Sequence, residues 1–277
     1  MHGIFSQKPG RGWKRLTYAA VSAIAAVGLA LVTVTPASAA QPLGPGNEGM
    51  NGPRPTTKSA QPMIVPAGIP GIDVSHYQGT INWSSVRAAG IQFAYIKATE
   101  STNYKDPTFN ANYVNAYNAG VIRGAYHFGR PGASSGAAQA NYFASNGGAW
   151  SADNLTLPGA LDLEAGCAGL SQSAMVNWIR DFYNTYKTRT GRDVVIYTAA
   201  GWWSSCTGNS SAFRPLTPLW VASWTSASSP TIPGGFGGYT FWQYTSTGSV
   251  SGIGGNVDRD VFNGSRDRLL ALANNTP

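Results

Sequence analysis

The 277-residue chain carries 19 Lys and Arg against 12 Asp and Glu, a formal net charge of +7, yet only 11% of its residues are charged, under half the usual share. Lys8, Arg11, Lys14 and Arg15 supply four of the cations at the N-terminus, so the remainder stands at about +3 and lacks the clustered basic face of a nucleic-acid binder. With so few carboxylates, an Asp or Glu inside an apolar strand is informative.

The basic leader runs into an apolar stretch from Leu16 to about Thr35 and then into Ala37-Ser38-Ala39-Ala40. That layout predicts a secretory signal peptide over residues 1–40, cleaved at the small residues. An uncleaved anchor is the alternative, because the apolar run is long enough to span a bilayer. Residues 41–67 are rich in Pro, Gly, Asn and Thr without periodicity and read as a disordered linker. From Gly68 onward there is no second linker and no repeat of 20–50 residues. Residues 68–277 are therefore expected to form one domain, secreted, extracellular and away from the membrane once mature.

Within that domain, short apolar runs alternate with helical patterns. Ile69–Ser75, Ile91–Thr99, Val121–Phe128, Leu157–Glu164, Val194–Thr198, Pro218–Trp224 and Thr240–Tyr244 read as strands. A short piece near Val257 completes eight. Phe109–Ala119 and Gly136–Ser145 look helical, and Ser171–Arg189 is the clearest helix. Its Met175, Trp178, Ile179, Phe182 and Tyr186 recur at helical spacing as one apolar stripe, and Thr190-Gly191 supplies its stop. Near-continuous apolar strands alternating with helices argue for a parallel sheet covered by helices. Eight strands in a helix-poor C-terminal third predict an α/β fold, an irregular (β/α) TIM-like barrel with fewer than eight full helices. Such barrels place their chemistry at the C-terminal strand ends. Here those ends carry Asp73, Glu100, His127, Asp162 and Glu164.

Asp162 and Glu164 stand two apart on a strand, so both project to one face. Two carboxylates held together in a partly apolar setting cannot both ionise freely, and one then keeps a proton to donate to a leaving oxygen. A structural pair capping a loop is the plainer alternative. Asp73 in GIDVSHYQG and Asp258 in NVDRD are further candidates, although loops also use Asp for turns. Glu100 could equally pair with Lys97 or Lys105. Tyr77, Tyr126, Phe128, Trp202, Trp203, Trp220, Trp224, Trp242 and Tyr244 cluster near these acids in sequence. Most must be barrel core; Tyr126 and Trp224, at strand ends, are singled out as sugar-stacking candidates.

Cys167 and Cys206 are the two cysteines, and in an exported chain the simplest reading is one disulfide. A catalytic thiol is the alternative, but only His76 and His127 lie beyond the leader. Gly132–Gly136 (GASSG) formally matches a serine-nucleophile elbow, yet Arg130-Pro131 separates it from the preceding strand. Two histidines some fifty residues apart do not make a zinc centre, and no phosphate-cradling loop is present. No metal and no cofactor are expected.

The motifs GIDVSHYQG, FAYIKATE, GAYHFGRP, LDLE, LWVASW, FWQYTSTG and NVDRDVFNG resemble, in order and spacing, those of the glycoside hydrolase family 25 lysozymes, the Chalaropsis-type N-acetylmuramidases. The resemblance runs from about Gly68 to Gly264. It implies a barrel of the kind just argued and a lysozyme that hydrolyses the β-1,4 bond between N-acetylmuramic acid and N-acetylglucosamine in peptidoglycan. By motif, Glu164 resembles the family's general acid. Asp162 is similar to the partner carboxylate that orients the substrate's 2-acetamido group, and Asp73 and Asp258 match two further acids of the cleavage subsite. Tyr126 matches a sugar-contacting tyrosine; Trp224, Glu100 and Tyr77 are taken as substrate contacts with it. The partner implied is the peptidoglycan glycan strand, met by a monomer. One departure from the family's pattern is expected, the absence of a wall-binding module after the barrel.

Overall fold

The computed structural model describes residues 65–277. The expected leader, and all but the last residues of the expected linker, lie outside the described residues. Among these residues, no helix is long and apolar enough to cross a membrane.

Nine strands form one sheet: β1 (Ile69–Val74), β2 (Phe93–Glu100), β3 (Tyr104–Lys105), β4 (Ile122–Phe128), β5 (Ala160–Leu163), β6 (Val195–Ala199), β7 (Leu219–Ala222), β8 (Phe241–Gly248) and β9 (Val257–Phe262). Its order is β1-β9-β8-β7-β6-β5-β4-β2-β3, and β1 also pairs with β2. Eight strands thus close into a barrel, with the two-residue β3 appended to the C-terminal end of β2. Six helices accompany them: α1 (Trp83–Ala88), α2 (Phe109–Asn118), α3 (Gly136–Phe143), α4 (Gln172–Thr190), α5 (Ala200–Thr207) and α6 (Arg266–Asn274). The irregular α/β barrel expected from the alternating pattern is what forms.

Its irregularity has a definite cause. Every barrel pairing from β1 through β8 is parallel, whereas β9 runs antiparallel to both β8 and β1. Residues 249–256 are too few for the crossover that a parallel neighbour needs, so the chain turns back. The start of β9 therefore lies at the same end of the barrel as the finish of β1, and Asp258 pairs directly with Asp73.

Two apolar clusters divide the strands' two faces. One, including Ile72, Ile96, Leu161, Ile196, Val221 and Val261, packs against the helices. The other fills the barrel interior with Phe93, Tyr95, Tyr197, Trp220, Phe241 and Phe262. Tyr95 stacks on Trp220 at 4.7 Å between ring centroids, and a Cβ at Gly124 would collide with the Tyr95 ring. The glycine opens the space that the aromatic occupies, so the barrel is plugged rather than hollow.

The helix expected over Ser171–Arg189 is α4. Ser171 caps it through Oγ on the Ala174 N–H at 3.2 Å, and Gly191 ends it in the left-handed conformation with its N–H on Lys187 O. In the GASSG stretch, Ser135 caps α3 by accepting from the Ala138 N–H and Ser134 Oγ accepts from Gln139 Nε2. Both serines are thus engaged in starting a helix. Three helices, α1, α5 and α6, were not foreseen from periodicity. Cys167 and Cys206 are disulfide-bonded, joining the loop after β5 to α5.

Candidate active site

The strand ends that were expected to hold the chemistry meet at one mouth. Asp73 closes β1, Asp162 lies in β5 with Glu164 just beyond it, and Asp258 opens β9. Asp162 pairs across β5–β6 with Tyr197. The Tyr197 phenol lies within the field of all four carboxylates: burial, then Glu164, Asp162, Asp73 and Asp258 in turn, hold it well above its ordinary value. It is a neutral hydroxyl on which all four acids act. Asp73, Asp162 and Glu164 are all nearly buried, at 8%, 5% and 6% exposure, so their mutual repulsion is weakly screened by solvent.

Hydrogen bonds connect Asp73 to a polar floor. Tyr197 OH donates to Gln243 Oε1 at 3.0 Å, and Trp224 Nε1 donates to the same oxygen at 3.1 Å. Gln243 Nε2 then donates to Asp73 Oδ2 at 2.9 Å. The amide of Gln243 is oriented by these two donors to its oxygen, which leaves its NH₂ facing the carboxylate. Below it, Asp260 is fully buried and accepts from Trp220 Nε1 at 2.8 Å through Oδ1. Burial first, and then the charge of Asp73, push the Asp260 carboxyl well above its ordinary value.

Tyr197, Gln243 and Asp260 were not among the residues singled out from sequence. Asp260 was legible: Asp258 and Asp260 show the same two-residue spacing as Asp162 and Glu164. Gln243 was the one amide in the apolar run TFWQY. Tyr197 carried no signal apart from its place on an inward-facing strand position.

The remaining candidates divide. Tyr126 is 5% exposed within the interior cluster, and Trp224 is partly exposed with its indole fixed on Gln243. Tyr77, at 47% exposure, stands on the short turn after β1 with its ring 4.1 Å from that of His76. Glu100 bonds Lys97 Nζ at 2.9 Å and the Arg130 guanidinium at 2.7 Å. Burial opposes its ionisation, but these two cations outweigh burial and hold the carboxyl below its ordinary value. Lys97 was the partner weighed from sequence; Arg130 takes the place considered for Lys105.

His127 does not join the mouth. Its Nδ1 bonds Thr99 Oγ1 at 2.7 Å and its Nε2 bonds Gln139 Oε1 at 3.0 Å, and its ring packs against Phe143 and Phe182 of α3 and α4. Strand alternation sends it to the helix-facing side, opposite to its neighbour Tyr126. Since the Gln139 oxygen can only accept, Nε2 carries the hydrogen and Nδ1 accepts from Thr99.

A family model for glycosyl hydrolases family 25 matches residues 72–253. This chain belongs to that family. It is 57% identical over 267 residues to Lysozyme M1 of Streptomyces globisporus, covering 88% of this chain and 90% of the relative. Identity to the N,O-diacetylmuramidase of Chalaropsis is 44% over 213 residues, covering 74% of this chain and 99% of that protein. The crystal structure of a bacterial lysozyme from Streptomyces coelicolor superposes with a TM-score of 0.74 at 63% identity, covering 76% of this chain and 99% of the other. The chain is accordingly a glycoside hydrolase. The family 25 match takes in Asp73, Asp162 and Glu164 and stops short of Asp258, which the antiparallel β9 nevertheless sets opposite Asp73.

Proposed function

We propose that this glycoside hydrolase is a secreted lysozyme, an N-acetylmuramidase that cleaves the β-1,4 bond between N-acetylmuramic acid and N-acetylglucosamine in peptidoglycan. The observation that carries this reading is that β1, β5 with the residue after it, and β9 bring Asp73, Asp162, Glu164 and Asp258 to one end of the barrel, where all four act on the buried Tyr197 phenol. Burial and like charge both favour keeping one of these carboxyls protonated, and a protonated carboxylic acid is what a glycosidic leaving oxygen needs. Glu164 is the proposed acid. Asp162, held on the adjacent strand position, orients the 2-acetamido group of the sugar. Asp73 and Asp258 line the cleavage subsite with Gln243, whose amide is already aimed.

The aromatic edges serve the glycan. Trp224, anchored through its indole N–H, and Tyr126 offer faces inside the mouth, while Tyr77 offers an exposed ring at its rim. Glu100 contributes indirectly by holding Lys97 and Arg130 beside the β2 and β4 strand ends. The mild positive balance beyond the leader suits an anionic wall polymer. The enzyme works as a monomer without cofactor or metal.

Labelling the new reducing ends after digestion of purified peptidoglycan tests the bond assignment. Muramic acid ends are expected. Glucosamine ends would instead identify a glucosaminidase.

A further inference from the structure

Beside the aromatic plug lies a carboxyl that the proposed chemistry leaves unused. Asp260 is fully buried and, pairing with Gly71 while Asp73 pairs with Asp258, lies on the same face as Asp73 one step along the β1–β9 register, where the charge of Asp73 opposes its ionisation. Its Oδ1 is taken by Trp220 Nε1 at 2.8 Å. No N–H or hydroxyl of the structure donates to its Oδ2. Asp73 already accepts from Gln243 Nε2 on Oδ2. An ionised carboxylate has no proton to offer a second carboxylate, and a buried anion with one vacant oxygen beside another acid is strongly disfavoured.

We propose that Asp260 is a positioning residue held as the neutral carboxylic acid, whose proton hydrogen-bonds Asp73 and fixes that carboxylate toward the sugar. The chain Trp220–Asp260–Asp73–Gln243–Tyr197 then orients Asp73 from two sides. The other titratable groups that act electrostatically with Asp260 are Asp258 on its own strand, Tyr95 of β2 and Tyr244 of β8. None of them is a cation that would stabilise an ionised Asp260. The inference rests on the active-site reading given above, but its first two tests do not use activity.

Asparagine reproduces a protonated aspartate in shape, with an N–H₂ in place of the O–H. The infrared difference spectrum between the parent and Asp260→Asn at neutral pH is expected to show the loss of one protonated-carboxyl C=O band, separate from any band of Glu164. In the folded protein the proton stays on through neutral pH, whereas the unfolded chain releases it near the ordinary carboxylate value. The melting temperature of Asp260→Asn relative to the parent should therefore climb from about pH 4 to about pH 8. Absence of the band, or a difference flat with pH, overturns the proposal even if the enzyme is a muramidase.

Activity then tests the link to Asp73. Asp260→Leu, which removes the donor, is expected to lower kcat roughly 10–100-fold and to move the acidic limb to higher pH, since Asp73 loses support for its charged form. Asp260→Asn should rescue most of that loss with the acidic limb in place. An acidic limb moved to lower pH in Asp260→Asn would mean that a negative charge had been removed, and would also overturn the proposal. If Asp260→Leu does not fold, the asparagine variant still decides.

Discussion

His127 illustrates how completely strand alternation separates chemistry from support. One position after Tyr126, it is enclosed among Thr99, Gln139, Phe143 and Phe182, and burial lowers its pKa from 6.5 to about 4. As pH falls below 6.5 the unfolded chain takes up a proton that folded His127 refuses until about 4. Stability contributed by the neutral imidazole is therefore complete above the higher value and lost through that window, by roughly 3 kcal/mol. Urea unfolding of His127→Gln and the parent at neutral and mildly acid pH checks this. The variant should lose less stability on acidification; equal slopes would contradict a buried neutral imidazole.

At the scale of elements, the loop after β5 carries Glu164 and, three residues on, the half-cystine that ties it to α5. The bridge spans a sequence separation of 39, which corresponds to roughly 2–4 kcal/mol in the loop-entropy picture. The double substitution Cys167→Ala/Cys206→Ala should lower the unfolding free energy by that amount, as read from denaturant midpoints. An unchanged midpoint would show that α4 and α5 hold the loop without it.

Elements with strong periodicity were legible in the sequence. α4 announced itself through one apolar stripe, a serine cap and a glycine stop, and β2 and β4 through near-continuous apolar runs. α1 and α5 are too short for a period to emerge. α6 had a serine cap and the spacing of Leu269 to Ala273, but only two residues of its inner face are buried. The direction of β9 was illegible because strand pattern does not encode orientation; only the short connector before it does. For the site, an acid in an apolar strand was a sufficient signal for Asp73, Asp162 and Glu164. It was not sufficient for the polar floor, where Gln243 and Tyr197 matter through partners 46 residues apart in sequence.

For the molecule as a whole, the plug of Tyr95, Trp220, Phe241 and Phe262 closes the barrel from below, so the acids occupy a floor rather than a channel. The barrel's antiparallel strand β9 completes that floor by returning Asp258 to Asp73. Four carboxylates contributed by β1, β5 with its following loop, and β9 thus meet at one end of the barrel. The central claim is that Glu164 supplies the proton to the leaving sugar. It is tested most directly by Glu164→Gln, assayed for clearing of purified cell walls and for pelleting with the same walls. Clearing is expected to fall about 10²–10⁴-fold, with wall binding and melting temperature retained. Clearing at the parent rate by a folded Glu164→Gln enzyme would contradict the account.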